Sequence, residues 1–173
     1  VFRHPKSGKD YIKRVIGLPG DKVRLIKGKL FINESILIRE GLSDFVEKKI
    51  EQGSMKTVPQ CVNEPVPFGN ENCIKYQSLE KLDNGKSYKI LDLGQNIGDD
   101  TQDFIIGDDE YFFLGDNRDN SLDSRFDRQF GGVGLVSKEY LIGKASLILF
   151  SSRGSSIFYF WTWRKDRFFK VIR

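Results

Sequence analysis

Tyr11-Ile12-Lys13-Arg14-Val15-Ile16-Gly17-Leu18-Pro19-Gly20-Asp21 sets two cations inside an apolar run that ends at a tight turn. Read as a strand, the run alternates: Tyr11, Lys13 and Val15 fall on one face, Ile12, Arg14 and Ile16 on the other. Neighbouring Lys13 and Arg14 therefore meet different environments, and one of them is expected to be buried. If it is Lys13, desolvation disfavours the ammonium and draws its pKa down toward neutrality, which makes a general base. Leu18-Pro19-Gly20-Asp21 reads as a turn, with Pro19 fixing φ at the first central position and Gly20 supplying positive φ at the second. Taken alone, the run also suits an edge strand whose lysine snorkels to water.

A second stretch, Gly115-Asp116-Asn117-Arg118-Asp119-Asn120-Ser121-Leu122-Asp123-Ser124-Arg125, follows the strand-like run Tyr111-Phe112-Phe113-Leu114. By itself it could be an Asp/Asn-rich turn that satisfies its own backbone. Together the two motifs resemble the two downstream signature boxes of type I signal peptidase, a serine/lysine protease family that removes secretory signal peptides. The resemblance implies that Lys13 is a neutral general base taking the proton of a serine nucleophile. It implies too that Ser121 orients that lysine, and that Asp123 and Arg125 form a structural ion pair. Asp116 is expected to meet Arg14 on the opposite side of the lysine strand. The chemistry suits this division: a hydroxyl can aim an amine's lone pair, whereas a carboxylate would restore its charge.

Composition sets the frame. In 173 residues, 39% are hydrophobic and 13% aromatic, enough for a real core. Seventeen glycines between short β-branched and aromatic runs point to a mostly β fold. The expected form is antiparallel sheets making a folded, barrel-like catalytic core with a smaller β-rich inserted subdomain. The net charge of +4 suits an anionic membrane surface better than nucleic acid, which is not expected as a partner. His4 is the single histidine, so Ser-His-Asp and Cys-His arrangements would have to pass through it. Beside Pro5 in a polar loop, it is expected to be solvent-exposed and to carry no catalysis.

Val1-Phe2-Arg3-His4-Pro5 resembles the end of the family's strand box that precedes the lysine. The family's nucleophile box, a Ser-Met-x-Pro-Thr segment, is therefore expected upstream of this chain, together with any membrane anchor, and these 173 residues alone are expected to be inactive. No run of 18 or more apolar residues occurs in the sequence. Gly53-Ser54-Met55-Lys56-Thr57-Val58-Pro59 offers a substitute box, but its Pro and Thr are displaced and it follows Lys13 rather than preceding it; a loop serine is the expected reading.

Lys22-Val23-Arg24-Leu25-Ile26 alternates, turns at Lys27-Gly28-Lys29 and returns as Leu30-Phe31-Ile32-Asn33-Glu34, a hairpin that residues 35–39 extend. Residues 42–52 are charged enough for a helical or extended surface segment. From residue 53 to 102 the chain is polar and rich in turn residues, with strands expected only at 73–76 and 88–91. The domain reading is a catalytic β core of residues 1–32 and 109–150, an inserted subdomain of 33–108 resembling that of the larger Gram-negative members of the family, and a basic aromatic segment of 151–173. Cys61 and Cys73 form either a disulfide, if the domain is exported, or two free thiols. Two Cys and one His do not complete a structural zinc set, so neither metal nor cofactor is assigned.

Residues 141–150 read as the last core strand. Ile157-Phe158-Tyr159-Phe160-Trp161-Thr162-Trp163 is apolar on both faces and flanked by Arg164, Lys165, Arg167, Lys170 and Arg173. It suits a bilayer interface, or an ordinary core strand with a solvated basic tail. The resemblance thus implies a serine endopeptidase with a Ser/Lys dyad, on the periplasmic side of a bacterial inner membrane. Its substrates would be secretory preproteins with small residues at −1 and −3, bound as an extended strand beside the lysine strand. Two alternatives stay open: another Ser/Lys protease of the same broad fold, such as a self-cleaving repressor or a pilin-processing peptidase, and a non-catalytic β module that binds membrane or nucleic acid.

Overall fold

Apolar and charged residues alternating between glycine and asparagine turns give short strands and no α-helix among the described residues, which are 1–52, 56–69, 71–152, 158–164 and 167–172 of the computed structural model. In chain order the strands are β1 (Phe2–Arg3), β2 (Asp10–Tyr11), β3 (Arg14–Gly17), β4 (Lys22–Ile26), β5 (Lys29–Ile32), β6 (Ser35–Ile36), β7 (Ile38–Gly41) and β8 (Phe45–Lys48). They continue with β9 (Asn72–Lys81), β10 (Ser87–Asp92), β11 (Phe104–Ile105), β12 (Glu110–Leu114), β13 (Val136–Ser137), β14 (Leu147–Ile148) and β15 (Lys170–Val171). The chain is mostly β, and the strand pairs with a defined register are antiparallel. Two compact units divide it: Val1–Phe45 with Tyr76–Gly143, and Val46–Lys75 with Lys144–Arg173. Residues 33–45 and 76–108 thus share a unit with both motifs.

In the first unit, β12 is buried on both faces. Phe112 and Leu114 pack with Ile16, Val23, Leu25, Leu30, Ile90 and Ile106, while Phe113, pointing the other way, packs with Phe2, Val133 and Val136. Each such side chain contributes about 1.5–3 kcal/mol by leaving water, so the apolar run Tyr111-Phe112-Phe113-Leu114 anchors the chain just before the second motif. β12 lies between β13 and β3. A Cβ on Gly17 of β3 would fall 2.2 Å from Ile106 Cδ1 and 2.8 Å from Val23 Cγ2, so only glycine lets β3 lie this close to the core. Around the β4–β5 hairpin, Lys27 (φ 49°) and Gly28 (φ 71°) make the two-residue turn, both in the left-handed region that matches the strand twist.

The expected alternation across Tyr11–Ile16 does not run unbroken. β3 starts at Arg14, and its pairing with β12 shifts register between Phe112 and Phe113, leaving Ile16 as an extra residue. Ile16 is buried although Ile12, on the same expected face, is 70% exposed. His4 is also corrected: it is 3% exposed. The turn after Pro5 folds the amides of Lys6 and Ser7 back onto His4 Nδ1, at 3.1 and 3.2 Å. Two N–H donors on Nδ1 leave the proton on Nε2, which donates to the Gly132 carbonyl at 3.1 Å.

The second unit is small in apolar core. Cys61 and Cys73 are joined by a disulfide with Cα atoms 5.1 Å apart, a closure of a short loop that restricts the unfolded chain by about 3 kcal/mol. Lys75 pairs with Glu47 at 2.7 Å, and Lys49 with Glu64 at 2.6 Å. The core strand expected over 141–150 is reduced to Leu147–Ile148, paired with Lys170–Val171; Gly143-Lys144-Ala145-Ser146 interrupts the apolar pattern. Around residue 160 there is a 3₁₀ turn, Phe160–Thr162, rather than a strand. Phe158, Phe160 and Trp161 are 80%, 69% and 70% exposed. Among the described residues, no helix is long and apolar enough to cross a membrane. Gly53, Ser54 and Met55 of the substitute box, and Ile157, Lys165 and Arg173 of the aromatic segment, lie outside the described residues.

Candidate active site

Strand register brings the two motifs together. Leu114 of β12 lies opposite Arg14 of β3, so the chain leaving β12 at Gly115-Asp116 passes the chain entering β3 at Lys13. A 3₁₀ turn, Arg118–Asn120, then reverses direction and sets Ser121 over Gly115. Lys13 Nζ donates to Ser121 Oγ at 2.6 Å. Gly115 makes this possible: a Cβ there would lie 2.1 Å from Ser121 Oγ and 3.4 Å from Lys13 Nζ.

Lys13 has no ion pair among the described residues. Burial is the main cause that lowers the pKa of its amine below the ordinary lysine value; Asp123 opposes this, Arg125 adds to it and Asp116 opposes it. The favoured direction is toward the neutral base. Arg14 goes elsewhere, as its different face requires: its Nε and Nη2 hold the two oxygens of Asp116 at 2.7 and 2.8 Å, and its guanidinium lies 4.1 Å from the centre of the Tyr88 ring.

Asp123 and Arg125 form a fork beneath the serine. Arg125 Nε and Nη2 reach the two Asp123 oxygens at 2.8 and 3.0 Å, with both side chains almost wholly buried. Asp123 also accepts from the Gly115 amide at 3.0 Å, tying the fork to the strand end beside Lys13. Arg125 donates to the carbonyls of Arg118 and Gly98. A cleft of about 700 Å³ opens here, lined by Tyr11, Ile12, Lys13, Ser121, Leu122 and Ile97 among others. No group of three or more metal-ligating side chains gathers there or elsewhere among the described residues.

Sequence reading singled out Lys13, Arg14, Asp116, Ser121, Asp123 and Arg125: Lys13, Ser121 and Arg125 line this cleft, Asp123 is forked to Arg125 behind it, and Arg14 pairs with Asp116 outside its lining. It missed Glu80 and Tyr88 from the β9–β10 hairpin. Glu80 forms a fully buried ion pair with Arg118 inside the second motif. Farther along the same hairpin, the Leu91 amide donates to the Asp116 carbonyl at 2.7 Å, and the Leu93 amide to Asp119 at 2.5 Å. No periodicity in a polar, turn-rich stretch marks a glutamate for a partner 38 residues away.

The model of the family described as signal peptidase, peptidase S26, matches residues 1–150. The signal peptidase I of Rickettsia typhi is 38% identical over 162 residues, spanning 88% of this chain and 51% of the relative. That of Buchnera aphidicola is 35% identical over 173 residues, spanning 87% of this chain and 52% of the relative. The chain therefore spans about half the length of the curated relatives it matches. A solved signal peptidase I from Enterococcus faecalis aligns with 84% of this chain and 90% of its own at 21% identity, with a TM-score of 0.41, too slight a likeness to bear on the site.

Removing one partner of a buried ion pair leaves the other charge uncompensated, so Asp123→Asn is expected to lower stability by about 3–5 kcal/mol in urea unfolding. Asp10→Asn, which breaks the exposed pair with Arg3, is expected to change it by about 0.5 kcal/mol or less. Equal effects would mean that the fork does not brace the site.

Proposed function

This chain belongs to the signal peptidase family, peptidase S26, and from that membership we propose that it is the lysine-bearing part of a serine endopeptidase that cleaves signal peptides from exported preproteins. The observation that carries the reading is the Lys13 amine, half-buried, with a neutral hydroxyl 2.6 Å away and, among the described residues, no carboxylate paired to it. In this mechanism Ser121 accepts one N–H of the neutral amine and so aims its lone pair. Lys13 takes the proton of the attacking serine, whose oxygen adds to the scissile carbonyl carbon. Collapse of the tetrahedral intermediate expels the amine of the mature protein, which takes that proton from Lys13. Water, deprotonated by Lys13 in turn, hydrolyses the acyl-enzyme. The attacking serine is supplied from outside these 173 residues. Asp116–Arg14 and Asp123–Arg125 serve as braces on the two sides of the lysine. The family membership does not favour the self-cleaving repressor, pilin-processing or non-catalytic readings.

The substrate is a preprotein with small residues at −1 and −3, lying extended in the cleft beside Ile12 and Lys13. Phe158, Phe160 and Trp161, exposed and followed in the chain by Arg164, Arg167 and Lys170, are suited to the headgroup region of an anionic bilayer; the family reading puts the enzyme on the periplasmic side of the inner membrane, where signal peptides emerge.

The test is cleavage of a signal-peptide-bearing preprotein by the full-length protein. Lys13→Met, which keeps bulk and removes the base, is expected to abolish cleavage, and Ser121→Ala to slow it by about 10²-fold or more; full activity in Lys13→Met would refute the mechanism. The neutral amine is the working form and burial lowers its pKa. Activity should therefore rise with pH through that lowered pKa and be lost on acidification below it. The same burial destabilises the fold once the unfolded chain's lysine is protonated, a penalty that vanishes above the ordinary lysine range. For the surface, Phe160→Ser with Trp161→Ser is expected to weaken sedimentation with anionic phospholipid vesicles about tenfold; unchanged binding would remove the aromatic segment from the account.

A further inference from the structure

We propose that Glu80 is a positioning residue: through Arg118 it holds the turn that delivers Ser121 to Lys13. The inference rests on the serine/lysine reading of the site and adds to it a part of the chain outside both motifs. Glu80 sits in β9, 1% exposed, and its carboxylate pairs with the Arg118 guanidinium, itself 3% exposed. Arg118 Nε and Nη1 are buried without a hydrogen-bond partner, so Glu80 is the main group that compensates this charge, ahead of Tyr88 and Asp123. Arg118 is also the first residue of the 3₁₀ turn that ends at Ser121, and its carbonyl accepts from Arg125 Nη2. One buried carboxylate thus fixes the side chain of a residue whose backbone is gripped by the Asp123–Arg125 fork. Glu80 and the fork hold the turn from two directions.

The rest of the hairpin acts on the same segment. The Leu91 amide binds the Asp116 carbonyl just before the turn and the Leu93 amide binds Asp119 within it, and Tyr88, across the ladder from Glu80, lies against Arg14. On the far side of β9, Arg39 faces Glu80 in register but is drawn to Asp92 at 2.6 Å. The charged and titratable groups around Glu80 are therefore Arg118, Tyr88, Arg39 and Arg14; those acting on Lys13 are Asp123, Arg125 and Asp116. Glu80 does not touch Lys13. Its influence runs through the placement of Ser121 and the dryness of the lysine's surroundings, which is why loss of Glu80 should change the titration of Lys13 as well as the stability of the fold.

The readout that separates positioning from mere stability is the proton affinity of Lys13, followed in the full-length protein by trace acetylation of amines with acetic anhydride as a function of pH and peptide mass spectrometry. Glu80→Gln is expected to loosen the turn, admit water and raise the Lys13 midpoint by about half a pH unit or more. The kcat for preprotein cleavage near neutral pH should fall roughly tenfold with KM within about twofold. Arg118→Lys, which keeps the charge pair but loses the planar fork, should shift the midpoint in the same direction by less. Leu30→Ala, a core change away from the turn, should lower the melting temperature and leave the Lys13 midpoint where it is. An unchanged midpoint in Glu80→Gln overturns the proposal; if that variant does not fold, an unchanged midpoint in Arg118→Lys does so. A shifted midpoint in a parent that cleaves no preprotein sinks the protease reading and leaves the positioning role standing, whereas a cleaving parent with an unshifted midpoint does the reverse.

Discussion

The contact between Lys13 Nζ and Ser121 Oγ is the one on which the proposed base depends, because an amine is kept neutral only where water is scarce and no carboxylate is bonded to it. Two carboxylates lie near enough to oppose that state, Asp123 and Asp116. Each is occupied by an arginine in a two-pronged arrangement, Arg125 for the first and Arg14 for the second. The guanidinium forks occupy the oxygens of both carboxylates, and Arg125 itself adds to the lowering of the lysine's pKa that Asp123 and Asp116 oppose.

Backbone geometry then sets the distances. β12 is held from both faces by packing, so its end at Leu114 is fixed relative to Arg14 of β3. Gly115 gives Ser121 room above the strand end, and Gly17 lets β3 settle onto Ile106 and Val23. A side chain at Gly115 would push Ser121 off the strand end, and one at Gly17 would push β3 off the core. The order Gly-Asp-Asn-x-x-x-Ser-x-Asp-Ser-Arg carries this logic in compressed form: close approach, arginine partner, 3₁₀ turn, hydroxyl, carboxylate and fork within eleven residues.

Local and periodic features were the legible ones. The β4–β5 hairpin follows from its alternation and the Lys27-Gly28 turn, the strand at Tyr111–Leu114 from its apolar run, and the meeting of Lys13 with Ser121 and of Arg14 with Asp116 from the resemblance of two motifs. Features decided by distant partners were not. His4 looked exposed from its neighbours, yet its ring is closed over by Gly132, 128 residues away. Glu80 lies in a stretch read only as polar and turn-rich, yet it is buried against Arg118. Residues 141–150 were apolar enough for a core strand, but their glycine and lysine interruptions leave only a two-residue pairing. The alternation about Lys13 failed at a register shift, which composition does not announce.

The most direct test of the account is the protonation of the Lys13 amine itself, observed through the ¹³Cε and ¹⁵Nζ resonances of isotopically labelled lysine as pH is raised. Lys22 is an internal contrast, since its contacts with Glu34 and Asp103 stabilise the ammonium and raise its pKa. The account predicts that Lys13 releases its proton at lower pH than Lys22 and below the ordinary lysine range, and that Ser121→Ala alters its resonance. A Lys13 that titrates together with the exposed lysines would contradict it, for the amine would then be charged near neutral pH and unable to serve as the base.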